Sequence, residues 1–211
     1  PGHSSAASDV YKRQMFKDKT TIEIDGHVLI KDPETDEILL DQHNAINFEN
    51  MSLALVRLLA NQQTASNHDF INKMHFGNGG SSVDGSGTVT YLSPNTNSAT
   101  GVLHNKTFEK IVDPNDAGVD TTTTNTMTTS HTATELFSDL VVTCTLNYTE
   151  PAGQDTLDNS SNQNGSFIFD ELGLYTATGN LLTHIIFHPI QKSANRQIQV
   201  IYTVRVRAGA F

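Results

Sequence analysis

The chain has 211 residues, only 17% of them charged where an average globular domain carries roughly 25%, and 26 Thr, 18 Asn and 16 Ser make up the difference. Thr suits pleated surfaces while Asn and Ser suit turns, so the composition points to β structure with long loops. A net charge of −10 argues against a phosphate-neutralising nucleic-acid surface and against an anionic membrane, and one cysteine excludes an internal disulfide and a thiolate metal cage.

Residues 4–14, SSAASDVYKRQ, have no hydrophobic period, and back-translation makes them look like one unbroken reading frame of a transposase-based sequencing adapter. Residues 1–14 are therefore read as a non-native, disordered tail, with the native product expected to start at Met15. Without them the chain is 197 residues at −11, a length that suits one all-β domain. No signal peptide follows Met15, and no apolar run approaches the ~20 residues of a membrane span, so a soluble product made in a cytoplasm is expected.

Residues 15–43 are expected to form an N-terminal β-hairpin. Ile22 and Ile24 alternate with Glu23 and Asp25, Gly26 is expected to break the run, and Asp32-Pro33-Glu34-Thr35-Asp36 supplies turn chemistry before Ile38–Leu40. Residues 44–211 are expected to form a β-sandwich carrying one helix over 47–61. In that helix Phe48, Met51, Leu55, Leu58 and Leu59 recur on one stripe expected to be buried, with Asn47 as N-cap and Glu49 against the dipole. A short strand over 71–76 leads into Gly77-Asn78-Gly79-Gly80, read as a turn needing positive φ, because no Gly-Lys-Ser/Thr ending or helix follows it to hold a phosphate. Loops are expected over 81–100 and 113–130, the latter an acidic turn followed by a Thr-rich tract, with a strand over 104–112 between them.

The second half is more regular. Leu140–Tyr148 alternates cleanly, with Leu140, Val142, Cys144, Leu146 and Tyr148 on one face. After a turn-rich stretch over 150–166 come three runs, 167–176, 181–188 and 197–207, separated by short connections and expected to form an antiparallel meander. The expected fold is mainly β: an antiparallel two-layer β-sandwich, jelly-roll-like, with one amphipathic helix and the N-terminal hairpin.

The residues name no catalytic site, no cofactor and no metal. His184 and His188 share a strand face but stand about 13 Å apart, too far for two ligands of one ion. His75 and His104 lack the spacing of a His-x-His metal pair. Asp170 and Glu171 are neighbours in a strand, so they are expected to point to opposite faces and not to act jointly as acid and base. Their expected roles are hydrogen bonds to loop backbone or a salt bridge to Arg196 or Lys192, at an edge, a bulge or a subunit contact. Asp113, Asn115, Asp116 and Asp120 have some Ca²⁺-loop character but lack the glycine and closing glutamate of an EF-hand. No Gly-x-Ser-x-Gly elbow surrounds a serine, and Cys144 on an apolar strand face reads as core.

Four segments together carry a resemblance: His43-Asn44-Ala45-Ile46-Asn47 running into the helix, Met74-His75-Phe76-Gly77-Asn78-Gly79-Gly80, Phe169-Asp170-Glu171-Leu172-Gly173-Leu174-Tyr175, and the terminal run 181–206. The chain resembles virion structural proteins of tailed bacteriophages, of the contractile-tailed, T4-like type found in marine bacteria and cyanobacteria. The resemblance implies a non-enzymatic, homo-oligomeric component of the virion, assembled in the host cytoplasm with other virion proteins, in the tail, baseplate or fibre attachment rather than the head. Two alternatives stand beside it, a head decoration protein and a carbohydrate- or receptor-binding module. For the last, Tyr91 beside Asn95 and Asn97 is the surface for a host glycan, in a chain without Trp.

Overall fold

The computed structural model describes residues 20–62, 69–153 and 167–210; the adapter-like segment and most of the turn-rich stretch 150–166 lie outside them. The chain is mainly β, with one helix and antiparallel sheets packed as a sandwich. The first sheet runs in the order β2 (Ile38–His43), β1 (Thr20–Lys31), β12 (Ile198–Ala210), β9 (Phe137–Leu146) and β8 (Asn125–His131). The second runs β3 (Ala45–Ile46), β11 (Thr183–Gln191), β10 (Ile168–Thr176), β4 (Ile71–Gly77) and β7 (Lys106–Ile111). A small hairpin, β5 (Ser81–Val83) with β6 (Val89–Tyr91), forms a separate two-stranded sheet.

Alternation in the sequence becomes the core. Ile198, Val200, Tyr202 and Val204 of β12, Val142, Cys144 and Leu146 of β9, and Val28 and Ile30 of β1 all face inward from the first sheet. They meet Met74 and Phe76 of β4, Leu172 and Leu174 of β10, and Ile185 and Phe187 of β11 in one cluster. Burial of this kind contributes on the order of 2 kcal/mol per large side chain.

Several expectations need correction. Gly26 does not break the first strand, because it lies inside β1 opposite Val204, and its missing Cβ admits the Asn44 side chain against the backbone. With β1 between β2 and β12, the N-terminal hairpin is part of the first sheet. The last three strands are not a meander. β10 and β11 pair, but β12 crosses to the other sheet, where β1 and β9 occupy its two edges. The Thr-rich tract contains β8, which the pattern hides because Met127 is its one large apolar residue; pairing with β9 imposes the strand. The loop over 81–100 likewise contains the β5–β6 hairpin.

The helix, α1 (Phe48–Leu59), has the expected cap: the Asn47 side chain accepts from the Asn50 N–H at 3.1 Å. Its buried line, however, is Asn50, Met51 and Ala54, with Leu55 packed partly against the core. Phe48 is 63% exposed, Leu58 46% and Leu59 86%, so the expected buried stripe does not hold. The cause is polar anchoring. Asn50 Nδ2 donates to Leu181 O at 2.9 Å and to Ala99 O at 3.3 Å, which fixes the helix rotation, and eight of its twelve residues are apolar, more than one face can bury.

Candidate functional site

Strand β10 is buried at every position, although only one of its faces meets the other sheet. The second face is covered by the segments 79–81 and 93–105. Phe169 and Leu172, three residues apart, both belong to the core, so the alternation slips between them. The ladder to β11 shows the cause: its register passes from Phe169↔Ile190 to Glu171↔Ile186, leaving two extra residues on β11 at a place where Pro189 has no N–H to donate. The slip overturns the expectation of opposite faces, and both acids turn towards the covering loops. Nor is this an edge, since β10 lies between β11 and β4.

Each carboxylate is consumed by loop donors, as the backbone-bonding alternative anticipated. Asp170 accepts from the Gly80 N–H at 2.9 Å, the Ser81 N–H at 2.7 Å and the Ser81 hydroxyl at 2.7 Å. Glu171 Oε1 accepts from the Asn105 N–H at 2.7 Å and the Gly79 N–H at 3.1 Å, and its Oε2 from the His104 N–H at 2.8 Å and His184 Nε2 at 3.0 Å. Burial pushes the Glu171 pKa up, but the His184 and backbone donors outweigh it and hold the group ionised below its ordinary value. The salt-bridge alternative is not the one used: Lys192 donates to Ser193 O and Arg196 to Gln191 O.

His104, Glu171 and His184 each bring a potential ligand atom within 4.8 Å of the others, the one such group of three among the described residues. Hydrogen bonding decides what this group can do. His184 Nδ1 faces the Asn95 backbone N–H at 3.0 Å, which can only donate, so Nδ1 accepts and the ring proton sits on Nε2, aimed at Glu171. Nε2 could bind a cation only by losing that proton while Nδ1 stays an acceptor, which demands an imidazolate. His104 Nε2 donates to Ser93 O at 3.0 Å, leaving a single lone pair on Nδ1. The group is a closed hydrogen-bond clamp that ties the 79–81 and 93–105 loops to β10.

The glycines explain how the clamp closes. Among the described residues, positive φ at glycine occurs at Gly87, Gly153 and Gly179, so the 77–80 glycines are not there for a left-handed turn. They are there for close approach. A Cβ at Gly77 would lie 2.5 Å from Asn105 O and from Glu171 Oε1, one at Gly79 2.7 Å from Asn105 N, and one at Gly80 3.0 Å from Asp170 O. On the same side His75 stacks on Tyr175 at 3.7 Å, and burial lowers its pKa to about 4 against the opposing pull of Glu109.

The remaining predicted groups stay apart. His188 is exposed and bonds the Tyr91 hydroxyl at 3.2 Å, whereas His184 is fully buried. Asp113 and Asp116 accept from nearby loop N–H groups, and Asp116 also from Asn72. Asp120 accepts from Thr122, Thr123 and Lys110, and the Lys110 ammonium holds its carboxyl well below the carboxylate range. Buried Lys110 also reaches Glu150 at 2.5 Å, Thr145 O at 2.8 Å and Thr123 at 3.0 Å, a second saturated centre that sequence reading missed. Cys144 is fully buried, its thiol pushed up to about 12 by desolvation. Of the glycan candidates, Tyr91 and Asn97 are exposed, and half-buried Asn95 spends its side-chain amide on Val102 O. No signal in the sequence joins His104, Asn95 and His184. The glycine and Asp-Glu motifs were visible, but not as halves of one device. No protein-family model matches the chain, nor does any curated protein or solved structure.

Proposed function

We propose that the chain is a non-enzymatic structural component of a tailed-phage particle, in the tail, baseplate or fibre attachment, working through contacts with other virion proteins. One observation carries this reading: α1 leaves Phe48 (63%), Val56 (63%) and Leu59 (86%) exposed along one face, an apolar surface with no internal partner among the described residues. Large apolar side chains left in solvent on one helix face point to a contact with another molecule. The polar chemistry is meanwhile turned inward, with the Asp170, Glu171 and Lys110 centres saturated by the chain's own groups. Co-expression with the products of flanking genes tests the reading. Stable co-purification with a sheath, tube or baseplate protein, lost in Leu59→Glu, is the expected result. Flanking capsid and protease genes place the same contacts in head decoration, and flanking metabolic genes with no co-purifying product overturn the proposal.

A glycan-binding reading has the 48% exposed Tyr91 beside Leu92 and Asn97 in its favour. A silent glycan array removes it.

A further inference from the structure

The sandwich exposes strand edges of very different character. Edge β3 is two residues long. Edge β2 carries Asp41, paired with His27 at 2.6 Å, and edge β7 carries Lys106, Glu109 and Lys110. Charge and brevity are the ordinary protections of an edge against another chain. Edge β8, Asn125-Thr126-Met127-Thr128-Thr129-Ser130-His131, has neither. It runs seven residues without Asp, Glu, Lys, Arg or Pro, and pairs with β9 from Asn125↔Cys144 to His131↔Ser138 with no register shift. Residues Thr128–His131 are exposed, and no second strand pairs with β8 among the described residues.

We propose that β8 is a self-association edge, whose occupant is the β8 strand of a second copy, added antiparallel about a two-fold axis through Thr128. This deepens the assembly reading by naming one partner and the strand that meets it. Three features favour a second copy. First, antiparallel strand addition is self-complementary in its backbone donors and acceptors, so one patch serves both sides of a two-fold. Second, in a chain of net charge −10, two copies approach at least cost where charge is absent or internally cancelled. Two of the charges next to β8 are cancelled: Asp139, opposite Ser130, is held by Arg205 in two bonds of 2.7 Å, and Asp120 is held by Lys110, while exposed Glu135 lies beyond the end of the strand in the turn to β9. Third, the axis at Thr128 uses the full strand and makes favourable pairs. Thr128 meets Thr128 and Thr126 meets Ser130 on the outer face, while Met127 meets Thr129 on the inner face. The two five-stranded sheets then join into one of ten strands.

Sedimentation velocity on the full chain tests the proposal, with cross-linking of Thr128→Cys by a short bis-maleimide. The expected results are a concentration-dependent dimer, a Thr128→Cys pair that cross-links chain to chain while buried Cys144 does not react, and self-association weakened about tenfold or more in Thr128→Lys. Leu59→Glu on α1 is expected to leave the dimer intact. A dimer that survives Thr128→Lys and fails to cross-link at Thr128→Cys, or one lost in Leu59→Glu, overturns the β8 interface. Monomer at every concentration also overturns it, and co-purification with flanking gene products then decides the assembly reading separately. Should Thr128→Lys fail to fold, cross-linking of Thr128→Cys alone decides.

Discussion

The β10 clamp and the α1 face are opposite solutions to the same composition. On β10 two adjacent carboxylates are buried and saturated: Asp170 receives three donors from the 79–81 loop, and Glu171 four, three from loop N–H groups far away in sequence and one from His184 of β11. On α1 the buried anchors are asparagines, and the large apolar side chains Phe48, Val56 and Leu59 face outward. The contrast teaches that the buried acids of β10 serve as internal fasteners for long loops, whereas part of the apolar content of α1 is left in solvent.

The contrast can be broken most directly at Glu171. Glu171→Ala leaves the Gly79, His104 and Asn105 N–H groups and His184 Nε2 without an acceptor in a dry site, so a loss of about 3 kcal/mol or more is expected in denaturant unfolding. Next comes pH. His75 is neutral in the folded chain because burial lowers its pKa from 6.5 to about 4, so the unfolded chain binds a proton first. Stability is then fully present above pH 6.5 and falls as the pH drops towards about 4, by roughly 3 kcal/mol, and His75→Phe flattens that window of the unfolding curve. Below it Glu109 adds its own acid loss: the Lys106 and Lys73 bonds lower its pKa from 4.5 to about 2, so its contribution fades as the pH falls through that range.

Gly77→Ala tests whether close approach is the reason for the glycines. The added methyl meets Asn105 O and Glu171 Oε1, so about 2 kcal/mol should be lost in thermal or denaturant unfolding, although φ at that residue is not in the left-handed region. The smallest effect belongs to α1. Leu59→Glu alters a side chain already in solvent, and the monomer's stability should change by less than about 0.5 kcal/mol in the same measurement, even as contacts with a partner are lost. A large change there would mean that the helix face is a hidden part of the fold.

Fold class was legible because its signal is local. The alternation in 140–148 and 197–207 needs no partner strand to be seen, and a strand with one buried face must find a second layer. Asn47 as a cap and the Asp32–Asp36 turn were legible for the same reason, and Asp32 does accept from the Glu34 and Thr35 N–H groups. β8 was hidden because its apolar content is a single Met127, so only pairing with β9 defines it.

The sequence by itself determined that this chain is an acidic, antiparallel β domain with one helix, because composition and period-two patterning are properties of neighbouring residues. Only the tertiary structure decided which strands share a sheet, which way α1 turns, and what Asp170 and Glu171 do. Those outcomes rest on groups far apart in the chain, such as the Asn95 N–H and the ring of His184, 89 residues away. The physical reason lies in the slip of β10. A two-residue mismatch with β11, in a stretch that includes Pro189, moves two adjacent acids to one side, and three glycines let the loops close over them.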